Sequence, residues 1–300
     1  MALNEPALTG IPALSRRARA RQQMGSVAEA FRRNPTMLFG VALLTLLTLT
    51  AFLGPLFGMQ DPLEQNPRDR LQGASEAHWF GTDMYGRDLF ARVIYGGQIS
   101  LVVGLAVGAL ATAFGLALGL LSGFVRRVDA VLMRFMDALM SIPAILLAIA
   151  LVALWGSSVT NVILALTIPE VPRVTRLVRS VVITLRDQLY VQAAIASGTS
   201  TARILVRHIM PGTIPPLIVQ ATYICAQAVI FEAYLSFVGA GTPPEVPSWG
   251  NIMAEGRMYF QSHFAIILFP GLFLATAVFA INIFGDGLRD TLDPRMARRL

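Results

Sequence analysis

Six stretches of this chain are long and apolar enough to cross a lipid bilayer, and they restrict the fold more than any other feature. A spanning helix needs about 20 mostly apolar residues, and such runs lie at about 37–57, 99–124, 138–155, 159–183, 214–238 and 265–284. Lipid offers no water to satisfy backbone N–H and C=O groups, so each run has to close its hydrogen bonds within itself as an α-helix. Hydrophobic residues make up 55% of the chain and charged residues 14%, against about a quarter charged in soluble domains. The expected fold is therefore an all-α integral membrane protein with six transmembrane helices. The fourth run is the weakest, because Pro169, Glu170, Pro172, Arg173 and Arg176 interrupt it. Its apolar part is expected to end near Ile168, with the remainder emerging or packed in protein.

The charges orient these spans. All 24 basic residues are arginine, and they are scattered between apolar runs rather than gathered in a nucleic-acid patch. With the N-terminus inside, Arg16, Arg17, Arg19, Arg21, Arg32 and Arg33 are cytosolic. So are Arg126, Arg127 and Arg134; Arg173, Arg176, Arg179, Arg186, Arg203 and Arg207; and Arg289, Arg295, Arg298 and Arg299. Only Arg68, Arg70, Arg87, Arg92 and Arg257 fall outside. The positive-inside bias then puts both ends in the cytosol. Residues 1–36 read as a basic cytosolic tail or interfacial helix, and 37–300 as the transmembrane domain, with a cytosolic loop at 184–213. The first apolar run is too long for a secretory h-region, and no small-residue cleavage site precedes Pro55, so it is expected to remain as a span. The lack of lysine excludes a P-loop, whose lysine reaches the nucleotide phosphates, and lysine Schiff-base chemistry. The only cysteine, Cys225, lies in an apolar run and can form no intrachain disulfide.

The cytosolic loop has its own pattern. Ala193, Ala194, Ala196 and Ser197 make a thin helix that fits a groove, and Gly198 is suited to the left-handed conformation that ends one. Arg203 and Arg207, four apart, can meet an acidic partner or lipid phosphates. Pro211, Pro215 and Pro216 suit the start of a new helix, where a missing N–H costs little. The second span carries Gly104, Gly108, Gly115, Gly119 and Gly123, whose spacing lets helix backbones approach closely.

Segment 190–211 resembles the coupling loop of permease subunits of bacterial ABC importers. That loop reads E-A-A, three residues, G, nine residues, I-x-L-P; here Gln192-Ala193-Ala194 is followed by Gly198 and then His208-Ile209-Met210-Pro211. Gln192 stands for Glu, His208 for Ile and Met210 for Leu. Segments 78–88 (HWFGTDMYGRD), 241–257 (GTPPEVPSWGNIMAEGR) and 285–295 (GDGLRDTLDPR) resemble the dipeptide, oligopeptide and nickel branch. Residues 31–37 with the first span resemble the N-terminal extension of its C-type permeases. The resemblance implies a type I importer permease fold in the bacterial inner membrane, with no cofactor on this chain. It also implies a second homologous permease, two cytosolic ATPases that carry ATP and Mg, and an extracytoplasmic solute-binding protein. Gln192, Ala193, Ala194, Gly198, Arg203, Arg207, His208 and Pro211 would then dock an ATPase, whose closure tilts the spans from inward- to outward-facing.

Polar groups inside spans are costly and usually partnered or functional. In the fifth run, Gln220, Tyr223, Gln227 and Tyr234 share a helix face expected to line the pathway, while Glu232 lies off it and is expected to pair within the subunit or with its sister. Ordinary interhelical hydrogen bonding is the plainer alternative for all five. Local ion pairs are expected for Glu170 with Arg173 and for Asp137 with Arg134, and an end clamp where Asp286 and Asp290 flank Arg289. Residues 60–98, with Trp79, Phe80, Tyr85, Phe90 and Tyr95 among charges, read as a folded cap or interfacial helix. This loop and 241–261 are candidate docking sites for a binding protein. His78, His208 and His263 show no ligand spacing, so no metal site is expected, and neither GxSxG nor HExxH is present. The rival function is a secondary transporter acting alone on an ion gradient, which usually carries internal repeats and several midplane ionisable groups. Here only Glu232 fits that description.

Overall fold

The computed structural model describes residues 34–292. The basic tail expected at the interface and the last arginines of the C-terminus lie outside the described residues. Nine helices carry the described chain: α1 (Pro35–Leu53), α2 (Leu89–Phe124), α3 (Arg126–Met140), α4 (Ala144–Trp155), α5 (Val159–Arg186), α6 (Leu189–Ala196), α7 (Thr201–Val238), α8 (Trp249–Gly256) and α9 (Ala265–Leu292). Short polar side chains set several starts. Asp88 accepts from the Ala91 N–H at 2.7 Å, Ser158 from Asn161 at 3.0 Å and Ser248 from Asn251 at 3.2 Å, each meeting a donor the helix cannot satisfy itself.

Helix α2 is the spine. Its 36 residues reach about 54 Å at 1.5 Å per residue, well beyond the hydrocarbon thickness of about 30 Å. The helix begins at Leu89, ahead of the apolar run that announces it, because Arg92 is carried into the protein by acidic partners rather than into lipid. Its glycines divide between two neighbours. A methyl group placed on Gly104 would lie 2.5 Å from the Val229 side chain of α7. On Gly119 it would lie 2.6 Å from Val178 of α5, and on Gly123 2.5 Å from Val182. Such close approach is what small residues provide where lipid gives no hydrophobic drive. Val174, Val178 and Val182 are accordingly buried.

Helix α5 runs unbroken through Pro169 and Pro172, which an isolated helix would tolerate poorly. Packing against α2 holds it, and beyond Ile168 the residues Glu170, Pro172, Val174, Thr175, Val178 and Val182 are buried within the protein. Among the described residues, α1, α2, α7 and α9 are long and apolar enough to cross a membrane. Helices α3 and α4, bent by 87° at their junction, make a fifth crossing if counted as one span. The expected count of six is not reached on length and composition, because α5 carries Glu170, Arg173 and Arg176 within its length. In the third expected span, 138–155, the helix breaks at Ser141–Pro143, where Pro143 cannot donate and disfavours a helical residue before it.

Replacing Gly119 by leucine should cost about 1–3 kcal/mol by overpacking, read as a lower thermal midpoint in mild detergent. Gly73→Ala, where an added methyl meets nothing within 4 Å, should leave that midpoint unchanged.

Candidate functional site

Residues 184–213 fold as a small platform. Helix α6 ends in a left-handed Gly198 (φ +75°). The Thr199 N–H reaches back to the Ala194 carbonyl at 3.1 Å and the Gly198 N–H to Ile195 at 3.0 Å, a paired closure that glycine makes without steric penalty. Two side chains tie the platform to the bundle: Gln192 Nε2 donates to the Arg186 carbonyl at 3.0 Å, and the Tyr190 hydroxyl to the His208 carbonyl at 3.3 Å. Val191 and Ala194 point inward with Ile204, Leu205 and Ile209. Gln192, Ala193, Ala196 and Gly198 are exposed, as are Arg203, Arg207 and Pro211. Leu189 is 87% exposed, with Tyr190 and Ile195 beside it.

Pro211 does not open a separate helix. Thr201–Val238 runs as one 38-residue helix with a π-turn at Leu205–Ile209. Wider i→i+5 bonding there absorbs the register change ahead of three prolines that cannot donate. His208 is half-buried in that turn, its Nδ1 without a partner among the described residues.

Further along α7 the polar residues separate by face. Tyr223 is 46% and Tyr234 50% exposed, while Gln220 and Gln227 are partly buried. Glu232 is fully buried, and its two carboxyl oxygens accept from Ser100 and Ser236, each at 2.9 Å. The five residues therefore do not form one site. Elsewhere Glu170 pairs with Arg173 at 3.0 Å as expected. Asp137 does not pair with Arg134: it meets Arg176 at 2.7 Å, because α3 lies along α5 and turns its acidic residues toward it. Asp129 is likewise held by Arg179. No ion pair joins Arg289 to Asp286 or Asp290 among the described residues; Asp290, its immediate neighbour, points off at about 100° around the helix.

Sequence reasoning missed a buried ionic cluster on the opposite side of the bundle. Arg87 Nε meets Asp83 at 2.6 Å, and its Nη2 meets Glu255 at 2.5 Å. Arg92, with no exposed surface, meets Asp83 and Glu255, each at 2.5 Å. Asp83 also accepts from the backbone N–H groups of Tyr85 and Arg87. The cluster pins loop 60–88 to the start of α2 and to α8. Phe80, stacked on Phe269 at 3.8 Å, and Trp249, donating to the Val93 carbonyl at 2.9 Å, complete the join. The loop is thus a folded cap. The only signal in the sequence was the clustering of Asp83, Arg87 and Arg92 so near a span; nothing pointed to Glu255.

Residues 111–298 match the family described as binding-protein-dependent transport system inner membrane component, and residues 22–74 the N-terminal TM domain of oligopeptide transport permease C. The chain is 48% identical over 93% of its length to 96% of the "Probable peptide ABC transporter permease protein y4tQ" of Sinorhizobium fredii. It is 42% identical to the dipeptide transport system permease protein DppC of Alkalihalophilus pseudofirmus, covering 89% of this chain and 90% of that one. A permease-fold chain from the inward-facing MetNI methionine ABC transporter superposes with a TM-score of 0.53 at 21% identity, over 67% of this chain and 96% of that chain. The chain belongs to the binding-protein-dependent transport system inner membrane component family: it is a multi-pass inner-membrane transport component with an importer permease fold.

Asp83→Ala should leave two buried guanidinium groups to share the single carboxylate of Glu255 and cost about 3–5 kcal/mol, seen as a large drop in thermal midpoint. Cysteines placed at Gln220 and Gln227 should react with aqueous reagents in at least one nucleotide state of the assembled transporter; inertness in every state would contradict a lining role.

Proposed function

We propose, from that membership as premise, that the chain is one of two homologous permease subunits that frame a path for peptides or similar small solutes. Two cytosolic ATPases would carry ATP and Mg, and an extracytoplasmic binding protein would deliver the solute to the cap and the 241–261 segment. Both termini face the cytosol in this reading, which the arginine distribution supports. The peptide class is carried over from the printed names of the relatives. The placing of ATP hydrolysis on partner chains is supported by a sequence that holds no lysine for a P-loop.

The observation that carries the reading is the platform around α6. Leu189, Tyr190 and Ile195 stand exposed on a segment otherwise made of small residues. An exposed apolar knob flanked by alanines, with arginines close behind in sequence, suits a partner that offers an apolar groove with an acidic rim. Gln192, Ala193 and Gly198 would seat in the groove, with Ala194 packed beneath them against the bundle; Arg203 and Arg207 would meet the rim, and His208 and Pro211 would hold the turn that joins platform to span. Gln220, Tyr223, Gln227 and Tyr234 would face the path. A secondary transporter acting alone is the weaker reading. Glu232, the one group it would depend on, is fully buried and bonded to the hydroxyls of Ser100 and Ser236.

Leu189→Asp puts a charge where an apolar groove is expected. It should cut the ATPase recovered with the permease about tenfold, or about 1.4 kcal/mol, with the thermal midpoint of the permease unchanged. Undiminished ATPase recovery would refute the docking role.

A further inference from the structure

We infer that Glu232, acting through Ser236 and Thr242, is a positioning residue that fastens the extracytoplasmic segment 239–251 to helix α7, so that docking outside biases the cytosolic platform at the other end of the same helix. The inference rests on the importer reading above. It stands on a chain of hydrogen bonds that starts from two hydroxyl donors, Ser100 and Ser236, on one carboxyl group and runs outward through Thr242, whose hydroxyl also reaches Ser248 Oγ at 3.5 Å. Ser100 of α2 donates to Glu232 Oε2, and Ser236, one turn along α7, donates to Oε1, each at 2.9 Å. With its only proton committed, Ser236 Oγ accepts from the Thr242 N–H at 3.2 Å, and the Thr242 hydroxyl lies at 3.2 Å. Thr242 Oγ1 in turn accepts from Asn251 Nδ2 of α8 at 2.9 Å, and the Trp249 N–H is directed at Ser100 Oγ at 3.4 Å. Asn251 Nδ2 also lies within 3.0 Å of the Pro243 and Val246 carbonyls. The 242–246 turn therefore hangs on the same side chain.

Every member is buried: Ser100, Glu232, Ser236, Thr242, Ser248 and Asn251 are each at most 5% exposed. Backbone contact matches the polar chain. A methyl group on Gly250 would lie 2.7 Å from the Ala233 Cα, and one on Gly241 would collide with Ser236. The outer segment thus rests directly on the last turns of α7. The far end of α8 is fixed separately, by Glu255 in the arginine cluster at the start of α2. Segment 239–251 with α8 accordingly bridges α2 and α7. Because α7 is continuous from Thr201 to Val238, a shift of the outer segment has a rigid element on which to act.

A carboxyl group fits this place because each of its two oxygens is set to accept from a hydroxyl. Glu232→Gln keeps the shape but puts an NH2 donor against hydroxyls already turned to donate. Thr242→Val keeps the volume and removes the hydroxyl contacts with Ser236, Ser248 and Asn251, leaving the backbone bond from residue 242 to Ser236 and α7 itself in place. The test uses the assembled transporter, with both permeases, ATPases and binding protein, in proteoliposomes, and compares ATPase activity with and without solute-loaded binding protein. Both variants should keep basal ATPase within about twofold and lose stimulation by about fivefold or more, a coupling loss with little change in the uncoupled activity. Stimulation retained in both variants would overturn the inference. So would an equal fall of basal and stimulated rates, or failure of both variants to assemble, since either marks the network as scaffolding alone. A wild-type assembly that shows no stimulation would instead bring down the importer reading itself.

Discussion

The backbone of α2 lies against α5 on one side and α7 on the other so closely that one added methyl group at Gly104, Gly119 or Gly123 would collide with a valine. In water, burial of apolar area would bring these helices together; in lipid that drive is absent, and contact depends on fit. The rest follows from this seam. It allows α5 to run as a helix through two prolines and to carry Glu170 into the protein beside Arg173. It also places Ser100 within reach of Glu232 on α7.

The seam also decides where polar groups can live. Arg92 begins the spine but sits inside the protein, because Asp83 and Glu255 surround it. Removing one partner from such a cluster is far costlier than replacing the whole cluster with apolar groups, so its members stand or fall together. Glu232 is buried with hydroxyl donors in place of a cation. The tyrosines of α7 lie on the exposed side, where a second subunit or a path can reach them. Two buried polar sets thus hold loop 60–88 and segment 239–251, while the platform is held by two side chain–carbonyl bonds, a glycine turn and the buried side chains of Val191, Ala194, Ile204, Leu205 and Ile209.

What could be read from the sequence was whatever depends on local pattern. The apolar runs gave the helical membrane fold, the Ala/Ser stretch before Gly198 gave α6 and its left-handed end, and Glu170 with Arg173 gave a pair three residues apart. Pairings across helices were not legible. Asp137 was assigned to Arg134 on its own helix, but the packing of α3 on α5 hands it to Arg176. Glu255 lies more than 160 residues from Arg87 and Arg92, and only the fold brings the three together. The early start of α2 was hidden because an arginine in a would-be span reads as an interruption unless its partners, distant in sequence, are known. Pro211 looked like a helix start because a π-turn has no sequence signature of its own.

The most direct test of the central claim is to purify the tagged chain from its native host in mild detergent and identify every stoichiometric companion. A permease subunit of an ATP-driven importer should bring with it a second homologous membrane chain and P-loop ATPases. Recovery of this chain alone, or only with copies of itself, would contradict the account.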